Sequence, residues 1–411
     1  MIVTDTVKLQ KYAELIVRMG VNIRPGQECV ITAELDQPEF IDLLVEECYK
    51  AGAAKVTVDW GRQKLTKLAV QYQSGEKLGA VLDWEKAKLE YRRDTLPAMI
   101  YIESADPDGL NGMDQEKWAL AQQSRWKTIK PIRDQMENRY QWCIAAAPGR
   151  AWAEKVFPGI PADEAMEKLW DAILYTSRAE GDPMKNWREH NADLEKRCQY
   201  LNSLNLRKLH YSASNGTDLT VGLMPESVFH GGADCVRGGT DKFDANIPSE
   251  EVYTSPKAGE AEGIVYSTRP LSYRGVMIED FSVRFENGRA AEVHAKKNEE
   301  ALKTMVKMDE GASMLGECAL VPYDSPIRNS GILFYNTLFD ENAACHLALG
   351  MGFADCVRDY ENYTLEQCRA MGVNDSMIHE DFMIGSADLD ITGTTADGRE
   401  VPIFKNGGWA F

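Results

Sequence analysis

The opening segment of the chain carries apolar residues at helical spacing. They recur three and four positions apart, at Leu9, Tyr12, Ala13 and Ile16. This period predicts an amphipathic helix, and Thr4 or Asp5 is expected near its start because such side chains cap helix N-termini. The segment has neither a continuous apolar core nor a small-residue cleavage site, so we do not expect a secretory signal.

Apolar runs of strand length alternate with helical segments over the first half of the chain. Strands are predicted at residues 29–35, 54–60, 98–104 and 140–147. The segment between the first two, "DQPEFIDLLVEECYKAGA", reads as a helix with Asp36 as its N-cap and Gly52 at its end. Strand, helix and strand in this order predict a βαβ unit with a parallel pairing. A later stretch, "PADEAMEKLWDAIL", is the clearest further helix.

The pattern changes near Leu209. From there on, alternating stretches are separated by Asn-Gly and Gly-Gly turns, as in "VMIEDFSVRFENGRAAEVHA", which predicts strands and hairpins. Helices are predicted at "KKNEEALKTMVKM" and within "FDENAACHLALG". The expected fold class is α/β with two closely packed regions. Residues 1–208 would form an N-terminal domain with βαβ units and a largely parallel sheet, and residues 209–411 a C-terminal domain with a mixed or antiparallel sheet.

Composition and charge narrow the class of protein. The chain has 411 residues, of which 44% are hydrophobic, and a formal net charge of −18. Because nucleic acids and anionic membranes attract basic surfaces, neither is expected as a partner. No apolar run approaches the ~20 residues that span a bilayer. We therefore expect a soluble, cytoplasmic protein.

Several common functional motifs are missing from the sequence. The nine cysteines include no Cys-x-x-Cys pair, so reduced and mostly buried thiols are expected. No Gly-x-Gly-x-x-Gly turn and no Walker lysine motif occurs, so no nucleotide-cofactor residues are predicted. Gly-x-Ser-x-Gly and His-Glu-x-x-His are also absent, which argues against a nucleophile-elbow hydrolase and excludes a zincin helix.

Potential metal ligands are concentrated in the second half of the chain. His379 and Asp381 are two residues apart and would project from one face of a strand. Glu317 is a single charge within the apolar stretch "ASMLGECALV", where burial would demand a positive partner. The remaining candidates are Glu250, Glu251, Glu341 and His346. Carboxylates and imidazoles suit zinc, cobalt or manganese at a two-metal centre.

Each candidate also has a structural interpretation that the spacing leaves open. Glu317 could pair with an arginine or lysine, and His379 and Asp381 could simply bond each other. His346 would be a hydrogen-bonded core histidine if it lies on an apolar helix face. The Glu250–Glu251 pair could belong to a solvated turn. The other four histidines have no candidate metal ligand close to them in the sequence and are taken as structural. They are His190, His210, His230 and His294.

A set of motifs then points to a known family. The segments "NIPSEEVYTSP", "LGECALVPYDSPI", "LFDENAACHLALG" and "HEDFMIG" occur in this order. With them, essentially the whole chain resembles the thermophilic-type metalloaminopeptidase family, the group of aminopeptidase T, aminopeptidase S and PepS. Each of the four motifs carries a metal-ligand position in that family, so they are specific as a set.

The resemblance implies a set of site residues, taken over position by position. The implied metal ligands are Glu251, Glu317, Glu341, His346, His379 and Asp381. Glu317 would bridge two divalent ions, and Glu317 or Glu341 would act as the catalytic general base. Glu250 replaces Glu251 if the register is shifted by one.

One position departs from the family pattern. Phe353 stands where family members carry a tyrosine that is thought to assist catalysis, so a hydroxyl is missing. Losing one oxyanion donor commonly costs about 10²–10³ in rate. We expect the metal ions to carry the oxyanion instead, although Tyr360 or Tyr363 could substitute.

The resemblance implies hydrolysis of the N-terminal residue of short peptides, by water that two divalent ions activate, in a homodimer. Two alternatives remain. One is another metal-dependent amidase or esterase. The other is a weakly active or silent peptide-binding homologue, because of Phe353.

Overall fold

The computed structural model describes residues 6–411, which group into two units. One unit extends to Glu189 and includes Ala233–Ser249, and the other comprises His190–Gly232 and Glu250–Phe411. The sequence suggested a boundary at residue 208. That boundary stays a prediction, because a grouping of contacts does not test whether either part folds independently.

Helices dominate the described N-terminal part of the chain. They are α1 (Thr6–Leu15), α2 (Pro38–Lys50), α3 (Gln63–Tyr72), α4 (Gly75–Gly79), α5 (Asp83–Thr95), α6 (Gln115–Arg133), α7 (Arg150–Val156), α8 (Ala162–Thr176) and α9 (Pro183–Leu204). The strands between them are β1 (Glu28–Glu34), β2 (Lys55–Gly61), β3 (Ala98–Glu103) and β4 (Trp142–Ala146).

Helix α1 confirms the periodicity of the opening segment. Leu9, Tyr12 and Ala13 are buried, as is Ile16 in the π-helical turn Ile16–Gly20 that follows. The predicted cap at Thr4 or Asp5 lies outside the described residues. The predicted helix in "PADEAMEKLWDAIL" is confirmed as α8.

The start of α2 differs from the prediction. Gln37, and not Asp36, occupies the N-cap, and Pro38 lies in the first turn. Proline fixes φ near the helical value and lacks the N–H that the first turn would leave unpaired, so Pro38 sets the start. At the other end Gly52 adopts φ 103°, which favours glycine and confirms the predicted stop.

The first four strands form a parallel sheet in the order β2–β1–β3–β4. Ile31 of β1 lies opposite Val58 of β2 and Ile100 of β3, with all pairings parallel. Ile31 and Ile100 are fully buried, so the sheet centre forms the core of this unit. The predicted βαβ unit is confirmed.

The rest of the chain is mainly β-structure. Its strands are β5 (Leu206–Ser212), β6 (Asp218–Leu223), β7 (Asp234–Cys235), β8 (Lys242–Phe243), β9 (Val252–Thr254), β10 (Pro256–Tyr266), β11 (Leu271–Tyr273), β12 (Val276–Glu286), β13 (Arg289–Lys297), β14 (Leu315–Leu320), β15 (His346–Gly350), β16 (His379–Met383), β17 (Asp390–Thr395), β18 (Glu400–Lys405) and β19 (Gly408–Trp409). Its helices are α10 (Glu299–Met305), α11 (Pro326–Asn329), α12 (Thr337–Glu341) and α13 (Leu365–Met371).

Two antiparallel sheets organise the second unit. The larger has the order β11–β12–β10–β6–β5–β17–β18–β19, with β13 paired to β12. The predicted hairpin is confirmed there, since Asn287 and Gly288 form the two-residue turn between β12 and β13 with φ values of 52° and 74°. The smaller sheet has the order β16–β15–β14–β9. The fold is therefore α/β, with an N-terminal parallel sheet and C-terminal antiparallel sheets, as predicted.

The helix predicted within "FDENAACHLALG" is largely wrong. Helix α12 ends at Glu341, and the chain then continues as strand β15 from His346 to Gly350. Every residue of β15 is buried and the strand pairs on both sides, so it lacks the polar alternation by which strands are recognised. His346 therefore lies on a strand and not on a helix face.

All nine cysteines are free and all except Cys235 are buried, as expected. Among residues 6–411, no helix combines the length and apolar character that crossing a membrane would require.

Candidate metal centre

Five of the six predicted ligands lie on or beside the smaller antiparallel sheet. Glu317 is on β14, His346 begins β15, and His379 and Asp381 lie on β16. Glu251 directly precedes β9. The i, i+2 arrangement of His379 and Asp381 on a strand is confirmed, so both side chains project from one face.

The strand register aligns these side chains. Ala348 of β15 lies opposite Glu317 on one side and Asp381 on the other. His346 is two residues before Ala348, and His379 is two residues before Asp381, so all four ligands share one face of the sheet. The small Ala348 side chain leaves room between the two carboxylates.

An irregularity in β14 supports this placement. The pairing of β14 with β15 shifts register between Leu315 and Glu317. At Gly316 a Cβ atom would lie only 2.1 Å from the carbonyl oxygen of Met351, so the backbones approach too closely for a side chain. Bulges of this kind bend a strand and redirect the residue that follows, which places Glu317 on the ligand face.

Two donor groups share one carboxylate. Glu251, Glu317 and His346 form one group, and Glu317, His379 and Asp381 form the other; within each group, potential ligand atoms lie within 4.8 Å of one another. His346 Nε2 lies 3.0 Å from Glu251 Oε2, and His379 Nε2 lies 3.0 Å from Glu317 Oε2. Glu317 therefore occupies the position that a bridging ligand would take.

Backbone carbonyls orient both imidazoles. Nδ1 of His346 is 3.0 Å from the carbonyl oxygen of Glu341, and Nδ1 of His379 is 2.8 Å from that of Met351. Because a carbonyl only accepts, each Nδ1 must donate, which leaves Nε2 directed at the carboxylates. This is the tautomer that a metal-binding histidine adopts when its outer nitrogen is hydrogen-bonded.

Glu341 lies beside the cluster but in neither donor group. Its carboxylate is buried and accepts a 3.3 Å hydrogen bond from Nδ2 of Asn342. Oδ1 of Asn342 accepts a 2.7 Å hydrogen bond from the backbone N–H of Glu250. Asn342 thus ties α12 to the segment that carries Glu251. Glu250 and Glu251 are both buried, so the solvated-turn interpretation is wrong.

The cluster concentrates negative charge in a buried place. Burial, together with the charges of Glu251 and Asp381, raises the pKa of Glu317 to about 7, against the opposing effect of His379. Burial and the charges of Asp381 and Glu251 also raise the pKa of Glu341 well above its ordinary value. Ionised carboxylates at this density require a cationic partner.

The histidines and Asp381 shift one another's pKa values towards the charged forms. Burial lowers the pKa of His346 and His379, but the neighbouring carboxylates outweigh it and raise both pKa values well above normal. Burial raises the pKa of Asp381, but the two histidines more than offset this and lower it. Within the described chain, buried Oδ1 of Asp381 makes no hydrogen bond, although His379 Nε2 lies 3.5 Å away. A divalent cation fits this donor set.

Phe353 lies against the cluster. Its ring centroid is 4.9 Å from that of His379, so the aromatic ring lies beside a predicted ligand. Tyr360 and Tyr363, the suggested substitutes, pack against a separate hydrophobic cluster of Met224, Ala354, Val357, Cys368 and Val373.

Sequence patterns did not reveal the residues that shape this site. Asn342, Gly316 and Ala348 carry neither a carboxylate nor an imidazole, and their roles depend on neighbours that only the fold supplies. The position of Asn342 directly after Glu341 was the one available signal. Neither donor group of the described residues includes His190, His210, His230 or His294.

A buried set of carboxylates and imidazoles with adjoining ligand atoms is typical of metal-dependent enzymes. The model of the thermophilic metalloprotease family (M29) matches residues 5–409, and the chain belongs to that family. This confirms the resemblance noted in the sequence and the expectation of a metallopeptidase enzyme. The family implies a divalent metal and peptide substrates.

Similar proteins match along nearly the full chain. Aminopeptidase AmpS of Bacillus subtilis (strain 168) is 42% identical, with 98% of each chain covered. Aminopeptidase PepS of Streptococcus thermophilus is 40% identical, with 98% of this chain and 97% of its own covered. The structure of wild-type AmpT from Thermus thermophilus is 37% identical, with a TM-score of 0.87, and 99% of this chain and 100% of that chain are covered.

Proposed function

We propose that this protein is an aminopeptidase that removes the first residue from short peptides and holds two divalent metal ions. The ligands would be Glu251, Glu317, His346, His379 and Asp381, with Glu341 at the edge of the metal shell. The observation that carries the proposal is the sharing of Glu317 by two donor groups, because a carboxylate that bridges two ions is characteristic of two-metal hydrolases.

The charges of the donor set support two ions. Glu251, Glu317, Glu341 and Asp381 carry four negative charges when ionised, while His346 and His379 bind metals in the neutral form. Two divalent cations would balance these charges. Nitrogen and carboxylate oxygen donors together suit zinc, cobalt or manganese better than calcium or magnesium, which prefer oxygen alone.

The residues of the chain would divide the catalytic work. Bound divalent ions would lower the pKa of a water molecule and polarise the scissile carbonyl. Glu341 would accept the proton from the water and pass it to the leaving amine. It suits this role better than Glu317, since a carboxylate that bridges two cations is too weak a base. Negative charge beyond that neutralised by the ions, consistent with the formal net charge of −18 of the chain, would attract the free ammonium group of the substrate and confine cleavage to chain ends.

The resemblance also implies a homodimer, and the acidic composition predicts a cytoplasmic protein; we include both in the proposal. Light scattering on the purified protein tests the dimer. Two alternatives remain, because the Phe353 ring supplies no hydroxyl near His379. The protein would then be an amidase or esterase of another kind, or a silent binding protein.

Metal analysis combined with a blocked substrate tests the proposal. We expect about two metal ions per chain and cleavage of leucine amide but not of N-acetyl-leucine amide. Equal cleavage of both would reject the aminopeptidase, and bound metal without turnover would indicate the silent protein.

Two matched variants on β16 test the ligand assignment. Asp381→Asn should reduce metal affinity by more than the roughly 100-fold that outer-shell mutations cost. Glu380→Gln is the control, because Glu380 lies between His379 and Asp381 and projects from the opposite face. Equal metal loss in both variants would contradict the assignment.

A further inference from the structure

The predicted ligands differ in their exposure to solvent. The side chain of His379 is 26% exposed, whereas those of Asp381, Glu251, Glu317 and His346 are 10% exposed or less. The cluster is therefore open on the side of His379. A molecule that reaches the ligand atoms from this side must pass the groups that surround His379.

Two aromatic rings flank this opening. The Phe353 ring is tilted by 44° against His379 at a centroid distance of 4.9 Å. The ring of Tyr253 meets Phe353 edge-on, at 5.6 Å and 74°. Tyr253 and Phe353 are both half-buried, so each retains accessible surface. We call these two residues the aromatic wall.

The aromatic wall is held in place by the surrounding backbone. The backbone N–H of Phe353 donates a 2.7 Å hydrogen bond to Oγ of Ser255, which is fully buried. Tyr253 lies on β9, pairs with Ala319 of β14 and is joined to His230 by two backbone hydrogen bonds. These hydrogen bonds fix the backbone of both residues beside the sheet that carries the ligands.

The chemistry of the wall selects among substrate side chains. A phenyl ring offers apolar surface and no hydrogen-bond donor or acceptor, so an aliphatic or aromatic side chain gains by contact while an acidic or amide group loses water without compensation. The scissile bond must lie at the ligand atoms, so the wall is within reach of the two substrate residues that flank this bond, and we assign it to the first.

We propose that Phe353, supported by Tyr253, determines the specificity of this site for an apolar first residue. The inference rests on the proposed aminopeptidase function. A contact of one or two methylene groups changes kcat/KM by about 10–200-fold in hydrophobic pockets, so leucine amide should be preferred over glycine amide by at least about tenfold.

Three variants of the metal-loaded enzyme test this proposal. Phe353→Ala should reduce kcat/KM for leucine amide about tenfold or more relative to glycine amide, because the ring is lost. Phe353→Tyr keeps the ring and should keep the preference. Tyr72→Ala is the control, since Tyr72 is an exposed aromatic residue in the other unit. An unchanged preference in Phe353→Ala, or an equal loss on both substrates, would overturn the proposal.

A binding measurement separates this proposal from the proposed function. Calorimetry of the metal-loaded protein with free L-leucine and with glycine requires no turnover. We expect tighter binding of leucine, with the difference abolished in Phe353→Ala and retained in Phe353→Tyr. If neither amide is cleaved but this binding pattern is observed, the proposed aminopeptidase function is wrong and the proposed specificity site is supported. Equal binding of leucine and glycine by the unmodified protein would refute the site.

Discussion

Oε2 of Glu317 lies 3.0 Å from Nε2 of His379, although another strand separates the two strands that carry these residues. Glu317 lies on β14 and His379 on β16, with β15 between them. Their contact is possible because the β15 residues opposite them are small: Ala348 faces Glu317, and Gly350 faces His379. The small residues of the middle strand thus leave a gap in which side chains of the outer strands come into contact.

Substitution of Ala348 tests the importance of this gap. Ala348→Val adds two methyl groups between Glu317 and Asp381, and overpacking of this kind costs about 1–3 kcal/mol of stability. We expect metal affinity to fall although every ligand is retained, as measured by competition with a chelating dye. Leu347→Ile is the control, because Leu347 projects from the opposite face of the same strand. Unaltered metal binding in Ala348→Val would show that the carboxylates meet elsewhere.

The two adjacent glutamates before β9 provide a paired test of register. Glu251→Gln should weaken metal binding and peptide hydrolysis more than Glu250→Gln does, since Glu251 lies 3.0 Å from His346 Nε2 and belongs to a donor group. Both changes preserve shape and remove one charge. Metal content and kcat/KM of the two purified variants should be compared. A larger effect of Glu250→Gln would show that Glu250, and not Glu251, is the ligand.

Asn342 should influence the site without touching metal. Its side chain accepts from the Glu250 N–H and donates to the Leu338 carbonyl and to Glu341. Asn342→Ala leaves these buried partners unsatisfied. Each buried group without a partner costs about 1–3 kcal/mol of stability. Disturbance of ligand orientation should reduce metal affinity about 10–100-fold. Urea unfolding and metal titration measure the two effects, and a loss of stability with normal metal affinity would limit Asn342 to a structural role.

Metal binding should release protons. The carboxylates raise the pKa values of His346 and His379 against the effect of burial, so the metal-free cluster holds protons that a cation must displace. Affinity should therefore fall as pH decreases below the histidine pKa values, about tenfold per pH unit for each proton released, and level off above them. Calorimetry in buffers of different ionisation enthalpy counts the protons. A pH-independent affinity would argue against binding by these histidines.

Arg269 should stabilise the fold next to the site. Its Nη1 lies 3.0 Å from Oδ1 of buried Asp340, which also accepts hydrogen bonds from the backbone N–H groups of Phe334 and Asn336. Removing one partner of a buried ion pair costs about 3–5 kcal/mol, so Arg269→Ala should lower the free energy of unfolding accordingly at pH 8. Arg269→Lys retains the charge and should lose less.

The same pair predicts a pH dependence. Burial raises the pKa of Asp340 to about 6, above the ordinary value, and Arg269 opposes this shift. A carboxyl group whose pKa is higher in the folded state is penalised when ionised, so the penalty is full above that pKa and is relieved as pH falls through it. The stability deficit of Arg269→Ala should therefore shrink as pH falls from 8 towards 5. A constant deficit in urea unfolding would show that lost packing, and not the unpaired charge, is responsible.

The sequence determined the local elements of this protein. Periods of two and of 3.6 residues identified the βαβ unit, the helices α1, α2 and α8 and the hairpin at Asn287–Gly288. These periods follow from the backbone geometry of each element and do not depend on distant parts of the chain. The same reasoning placed His379 and Asp381 on one face of a strand. Motif order then identified the family and named the ligand positions.

Tertiary structure alone decided how the ligands come together. Strand β15 is buried throughout, so its apolar run gave no period, and His346 was assigned to a helix. The meeting of Glu251, Glu317 and His346 with the pair on β16 depends on strand order, on the register shift at Gly316 and on the small side chain of Ala348. These are relations between residues far apart in sequence. They arise from packing and hydrogen bonding among strands, which no local period of the chain encodes.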